Sequence, residues 1–181
     1  MRWFARGVPG EMKEYLVIDG YNVIYTWPKL ARLSDTSLEH ARVKLVDIMA
    51  SHSALSGQLI KVVFDAHQVK NITQRQEQVN GIEILYTQQG ETADALIERI
   101  TGDLIKLGKV YVVTSDWDEQ RIIFGRGAYR MTPRELWEQV KKIRQKNMSE
   151  YSINLPTEGY LENRLNEGVR DLLEKLRRKK F

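Results

Sequence analysis

The chain has 181 residues, enough for one domain with an appendage and for a core that folds without staples. It contains no cysteine, which excludes disulfide frameworks, thiolate zinc sites and cysteine nucleophiles. The net charge is +4 and lies late in the chain: residues 136–181 hold 11 Lys+Arg against 7 Asp+Glu, whereas residues 1–135 hold 17 of each. An excess placed this way points to a polyanion-binding tail, with a solvated helix face as the plainer reading.

Residues 1–12, with Gly7, Pro9 and Gly10, are expected to form a loosely ordered extension. They lack the apolar stretch of a signal peptide. No apolar run approaches the roughly 20 residues of a membrane helix, so a soluble, cytoplasmic protein is expected.

The first strand is Tyr15-Leu-Val-Ile-Asp19, closed by Gly20, whose backbone freedom suits the turn. Asp19 then stands at the carboxyl end of a central strand, the edge where open α/β sheets bind ligands. Val23–Pro28 reads as a loop, with Tyr21, Tyr25 and Trp27 placed to stack on nucleic-acid bases or, more plainly, to pack. Thr36-Ser-Leu-Glu39 has capping-box spacing, and Leu38, Ala41, Leu45, Ile48 and Met49 continue at helical spacing to about Ser53. His40 and His52 on this helix are expected at the surface.

Leu59–Asp65 is the second strand and also ends in an acid, followed by His67. Gln68 to Gly81, with Lys70 and Arg75, reads as a polar loop or short helix able to reach over the site. Ile82–Tyr86 is the third strand. Gly90-Glu-Thr-Ala-Asp94 opens a helix whose buried face is Ala93, Leu96, Ile97, Ile100 and Leu104. The positive helix end favours a carboxylate at Asp94. Lys109–Asp116 is the fourth strand, again ending in an acid. Asp118 and Glu119 begin a helix toward Phe124. A short strand near Tyr129–Met131 precedes a helix opened by Thr132-Pro-Arg-Glu135. Residues 147–156 read as a connector. A last amphipathic helix then carries Leu161, Leu165, Val169, Leu172, Leu173 and Leu176 and ends in Arg177, Arg178, Lys179 and Lys180. Strands alternating with helices argue for a mostly parallel sheet flanked by helices.

Three predicted strands thus end in Asp19, Asp65 and Asp116, and a helix start carries Glu91 and Asp94. In a parallel sheet these can converge on one edge. Packed carboxylates repel one another, and a bound cation removes that cost. With no cysteine and three unclustered histidines, the ligand set is oxygen-rich and suits magnesium or manganese. Such ions serve phosphodiester hydrolysis. The alternative for each acid is a helix cap or an arginine partner, and Glu91 is the most open to it.

Val17-Ile-Asp-Gly-Tyr-Asn22, Val63-Phe-Asp-Ala66, Glu91-Thr-Ala-Asp94 and Thr114-Ser-Asp116, in this order, resemble the YacP-like branch of the NYN domains, within the PIN-like nuclease superfamily. The resemblance spans about residues 13 to 175. It implies a Rossmann-like PIN fold and a metal-dependent endoribonuclease, with the nuclease domain over 13–147 and the connector and basic helix over 148–181. It also implies messenger RNA on the translating ribosome as substrate. Carried over by motif, Asp19, Asp94 and Asp116 are the core catalytic and metal-site acids. Asn22 orients a ligand or phosphate, Asp65 matches a strand-end acid of related nucleases, and Glu91 fits less closely. Lys70, Arg75 and Arg177 to Lys180 would meet RNA phosphates, a salt-sensitive contact.

Two other readings stand beside it. One is a non-catalytic RNA- or ribosome-binding module on the same fold. The other is a phosphatase with an aspartyl nucleophile on the first strand. That chemistry usually wants a second acid two residues on, where this chain has Tyr21.

Overall fold

The structure, a computed structural model, describes residues 12–68, 76–88, 90–115 and 127–153. Its organising strand is β1 (Lys13–Asp19), whose Leu16, Val17 and Ile18 are fully buried. A strand apolar on both faces needs cover on both, and parallel neighbours with crossover helices provide it. β1 pairs in parallel with β2 (Leu59–Phe64) on one side and with β5 (Gly108–Val113) on the other. β4 (Ile82–Tyr86) continues the parallel run beyond β2, and β6 (Tyr129–Met131) beyond β5. β3 (Gln76–Val79) closes one edge antiparallel to β4. The strand order is β3-β4-β2-β1-β5-β6. The fold is therefore α/β, with a mostly parallel six-stranded sheet.

Five α-helices flank the sheet among the described residues: α1 (Gly20–Thr26), α2 (Pro28–Thr36), α3 (Leu38–Ser56), α4 (Ala93–Leu104) and α5 (Pro133–Ile153). The alternation of the strands sorts the core into two layers. Leu16 and Ile18 of β1, Ile60, Val62 and Phe64 of β2, and Val113 of β5 pack with α1, α2, α3 and Leu136 and Val140 of α5. Tyr15, Val17, Val63, Val110 and Val112 pack on the other face against Leu96, Ile97 and Leu104 of α4. Each large side chain buried this way contributes about 1.5–3 kcal/mol. Trp27 ties the first layer together: its Nε1–H donates to the Pro133 carbonyl at 2.8 Å, and its ring lies 4.8 Å from that of Trp137.

Several local expectations are corrected. Residues 23–26 are helical, because the Asp19 side chain caps α1 by accepting from the Asn22 N–H, and Pro28 opens α2 after the extended Trp27. The N-cap of α3 is Ser37, not Thr36, which ends α2. His52 is buried rather than at the surface, since it falls seven residues after Leu45 and three after Met49 on the inward stripe of α3. The polar stretch after Gln68 contains β3, turned back onto β4 by Asn80-Gly81 with φ of 49° and 86°. Two positive φ values suit a tight hairpin turn. The connector expected from 147 is helical as far as Ile153, in a run without Gly or Pro. The capping box at Thr132 and Glu135 forms in both directions.

The chain divides into two compact units, residues 1–144 and 145–181. The sheet belongs to the first; the end of α5 is the described part of the second. The expected helix over Leu161–Leu176, Lys70, Arg75, Asp116, the segment from Asp118 to Phe124 and Arg177 to Lys180 lie outside the described residues. Among the described residues, no helix is long and apolar enough to cross a membrane.

Candidate functional site

From β1 the connections run one way to β2 and β4 and the other way to β5 and β6. The strand order reverses at β1 and β5, and the crevice beyond their carboxyl ends is the preferred ligand site of such sheets. Alternation decides which side chains reach it. Val17 and Val63 face α4, so Asp19 and Asp65, two residues further on, face the same way. Val112 faces α4, and so therefore does Thr114. Leu85 packs on that layer, which carries Thr87 with it. One edge of the sheet thus presents Thr87, Asp65, Asp19 and Thr114 in spatial order, beneath the start of α4.

Gly20 follows Asp19 for a packing reason. A Cβ built on it would lie 2.2 Å from Cε1 of Phe64. The expectation that Gly20 serves a turn through its backbone freedom is corrected: it opens α1, and its missing side chain is filled by the Phe64 ring. That close approach seats α1 on the sheet and sets the direction of Asp19.

Asp19 is 8 % exposed. Its Oδ1 accepts from the Asn22 backbone N–H at 3.0 Å and its Oδ2 from Asn22 Nδ2 at 3.2 Å. Asn22 Nδ2 also reaches Thr114 Oγ1 at 3.4 Å, and Asn22 Oδ1 accepts from Ser115 Oγ. The amide therefore bridges the ends of β1 and β5. Burial pushes the Asp19 carboxyl above its usual range; the Asn22 donors and the Tyr21 N–H oppose this, and the charge of Asp94 adds to it. Asp94 stands exposed in the first turn of α4, which is capped by Thr92 through the Ala95 N–H at 3.2 Å.

Asp65 sits in a different setting. Its Oδ1 accepts from the His67 N–H at 2.9 Å, lies 2.9 Å from His67 Nδ1 and meets the Thr87 hydroxyl at 3.5 Å. Its slight burial raises the pKa, but these donors outweigh it and hold the carboxyl below its usual range. Glu91 is engaged by Arg99 at 2.9 Å and by the Gln88 N–H at 3.0 Å, the arginine-partner alternative weighed for it above. Tyr21 is 5 % exposed, set edge-on to Phe64 at 5.2 Å, and its hydroxyl accepts from Arg42 Nη1 at 3.2 Å. Trp27 is buried as well. The expectation that these two rings stack on bases is corrected to packing, because neither offers a free face. Tyr25 is 54 % exposed.

Whether these residues suit a divalent cation is decided by Asp19. A buried carboxylate raised further by the charge of a second, Asp94, with amide and hydroxyl oxygens beside it, is a hard-oxygen setting that a cation would relieve. Among the described residues, no three acidic or histidine groups stand close enough to enclose an ion.

The profile of the YacP-like NYN domain matches residues 16–178. The chain belongs to the YacP-like NYN domain family. It is 40 % identical over 131 residues to YacP of Bacillus subtilis (strain 168), covering 72 % of this chain and 76 % of that one. It is similar to the crystal structure of Rae1 (YacP) from Bacillus subtilis, with a TM-score of 0.69 and 36 % identity over 91 % of this chain and 95 % of that one. A tryptophan-to-leucine variant of Rae1 gives a TM-score of 0.67 at 31 % identity, covering 90 % and 99 %. The YacP-like NYN fold is a PIN-like nuclease fold, and the edge carrying Asp19 and Asn22 falls within the matched residues. The hydroxyls of Thr87, Thr114 and Ser115 were not singled out as site residues from sequence. Their one signal was small polar residues directly after apolar strands.

Proposed function

We propose that this chain is a metal-dependent endoribonuclease that hydrolyses RNA phosphodiester bonds, with messenger RNA on the translating ribosome as its substrate. The observation that carries the reading is the buried Asp19 carboxylate, fixed by Asn22 at the strand-order reversal and subject to the charge of Asp94. Burying an acid with a like charge nearby costs stability, and such an arrangement is kept where a cation or a reaction needs it.

Asp19, Asp94 and Asp116 would hold Mg2+ or Mn2+, with Asp65 as a further acid of the set, while the Glu91 carboxylate is taken by Arg99 and the Gln88 N–H. When bound, the ion supplies charge neutralisation at the phosphate and a lowered pKa for water. The chain's own residues do the positioning. Asn22 keeps both oxygens of Asp19 aimed, and Thr114 and Ser115 keep Asn22 in place. Tyr25 offers an exposed ring to a base. Lys70, Arg75 and Arg177 to Lys180 would supply phosphate contacts. The ribosome as partner and the cytoplasm as location rest on the family resemblance.

The test is cleavage of a messenger RNA during translation in a purified system, beside free RNA and the Asp94→Asn protein. Cutting on the ribosome only, lost in the variant, supports the whole reading. Cutting of free RNA alone keeps the nuclease and discards the ribosome. No cutting of several messages by folded, metal-supplied protein overturns the nuclease in favour of the binding module.

A further inference from the structure

The face of the sheet opposite Asp94 carries a second feature. α3 lies over β2 and the near side of β4, and beside it a cavity of about 630 Å³ opens over the outer strands. Its floor is apolar: Phe64 of β2 and Ile84 of β4 are buried beneath it, and Tyr86 of β4 and Val79 of β3 are the part-exposed side chains. The pairing of Glu77 with Ile84 and of Val79 with Ile82 puts Glu77 and Val79 on this same face. The volume falls in the range of about 300–1,000 Å³ typical of ligand pockets. Val43 stands on the α3 wall with 56 % of its surface exposed.

The charge around this floor is opposite to that of the chain. Glu39 and Asp47 stand on one face of α3, about two turns apart, and Glu77 stands on β3. None of the three forms an ion pair among the described residues. Arg42 is the one cation among the described lining residues, and it donates to Tyr21 Oη at 3.2 Å. The described lining, with three carboxylates and one guanidinium, repels an RNA backbone. It suits a ligand that brings apolar side chains for the floor and cations for the rim.

We infer that this groove docks a cationic amphipathic helix of another protein, its apolar stripe on Val43, Val79 and Tyr86 and its Lys or Arg side chains on Glu39, Asp47 and Glu77. A helix laid there would extend the helical layer beyond α3, which among the described residues packs on β2 and β4, a common way of seating an amphipathic helix in a groove. The inference does not depend on the nuclease reading, because the groove lies on the other face of the sheet from Asp19.

The probe is a synthetic Leu/Lys amphipathic helix with a fluorescent label, titrated into the full chain, with its Leu/Glu counterpart as control. Saturable binding of the Leu/Lys helix is expected, and weaker binding at higher salt. The Glu39→Lys/Asp47→Lys double variant should bind about tenfold or more weakly, and Val43→Ser should also weaken binding, because charge and apolar seat act together. Both variants should keep the wild-type melting temperature and RNA cleavage, since these side chains are exposed and remote from Asp19. The inference is overturned by absent binding at millimolar peptide or by equal binding of the Leu/Glu helix. It is equally overturned by unchanged affinity in the double variant, or by displacement of the peptide with an RNA oligonucleotide, which would make the groove an RNA surface.

Discussion

Asn22 holds Asp19 at both carboxylate oxygens, once through its backbone N–H and once through its side-chain amide. The same amide reaches Thr114 and accepts from Ser115, so one side chain ties the acid of β1 to the end of β5. Asn22→Ala keeps the backbone contact and removes the other three. RNA cleavage should fall about 10- to 100-fold, mostly in kcat, because aim rather than charge is lost. Stability should fall by only about 1 kcal/mol, the usual worth of such bonds. A variant that loses substrate affinity at unchanged kcat would place Asn22 on the RNA instead.

The two strand-end acids should have opposite pH signatures. Asp19 has a folded pKa raised above 3.8 by burial, so the folded state holds that proton more tightly. Its contribution to stability is present at low pH and is withdrawn as pH rises from 3.8 through the folded pKa. Asp65 has a lowered folded pKa, so its contribution is present above 3.8 and is lost as pH falls through the folded value. Urea unfolding of Asp19→Asn and Asp65→Asn across this range should move in opposite directions relative to wild type. From acid to neutral pH, Asp19→Asn should gain on wild type and Asp65→Asn should lose. Magnesium or manganese at neutral pH should stabilise wild type more than Asp19→Asn. Parallel pH curves for both variants would contradict the assigned environments.

Glu91 and Asp94 are neighbours on the same helix start, but the structure uses them differently. The Glu91 carboxylate already meets Arg99 and the Gln88 N–H, whereas the charge of Asp94 acts on Asp19. Asp94→Asn should abolish cleavage with the fold intact. Glu91→Gln should leave cleavage within about threefold and lower stability by about 1 kcal/mol or less, as for a half-exposed ion pair. Equal losses of activity in the two variants would return Glu91 to the group of metal-binding acids.

Gly20→Ala tests the seat of the site. The added Cβ meets the Phe64 ring edge at 2.2 Å, a distance that real contacts do not show. Overpacking of this kind costs about 1–3 kcal/mol. Chemical denaturation should show that loss, and Phe64→Leu in the same chain should recover part of it. Additive losses in the double variant would mean that the two residues are not coupled.

The legible parts of this fold were those with a local physical signature. β1, β2 and β5 are apolar runs because they are covered on both faces, and the terminal acids of the first two, Asp19 and Asp65, could be read from position alone. α1 escaped because Val23, Ile24 and Thr26 are β-branched and Pro28 follows at once, both poor helix signals. β3 escaped because Gln76-Glu-Gln carries no apolar alternation, although Asn80-Gly81 marked the hairpin turn. The influence of Asp94 on Asp19 was beyond local reading, since it depends on the order of strands and on which face α4 covers. The bridge of Asn22 to Thr114 and Ser115 spans more than ninety residues of chain and left no pattern in it.

Burial separates the three aromatics that follow Asp19. Trp27 is 3 % exposed and donates to the Pro133 carbonyl, so its work is structural. Trp27→Phe leaves that carbonyl without the donor and should cost about 1–3 kcal/mol in denaturation while leaving RNA affinity unchanged. Tyr25 is exposed and stacked on Tyr21 with centroids 6.1 Å apart and planes 21° apart. Tyr25→Ala should weaken RNA binding by about 1–3 kcal/mol, the range of one base stacked on an aromatic ring, at nearly unchanged stability. Binding measured by anisotropy with a short single-stranded RNA checks both variants. If Trp27→Phe weakened binding and Tyr25→Ala did not, the RNA would have to pass on the α5 side of the helical layer, where Trp27 meets Pro133 and Trp137, and not across the face that Tyr25 presents.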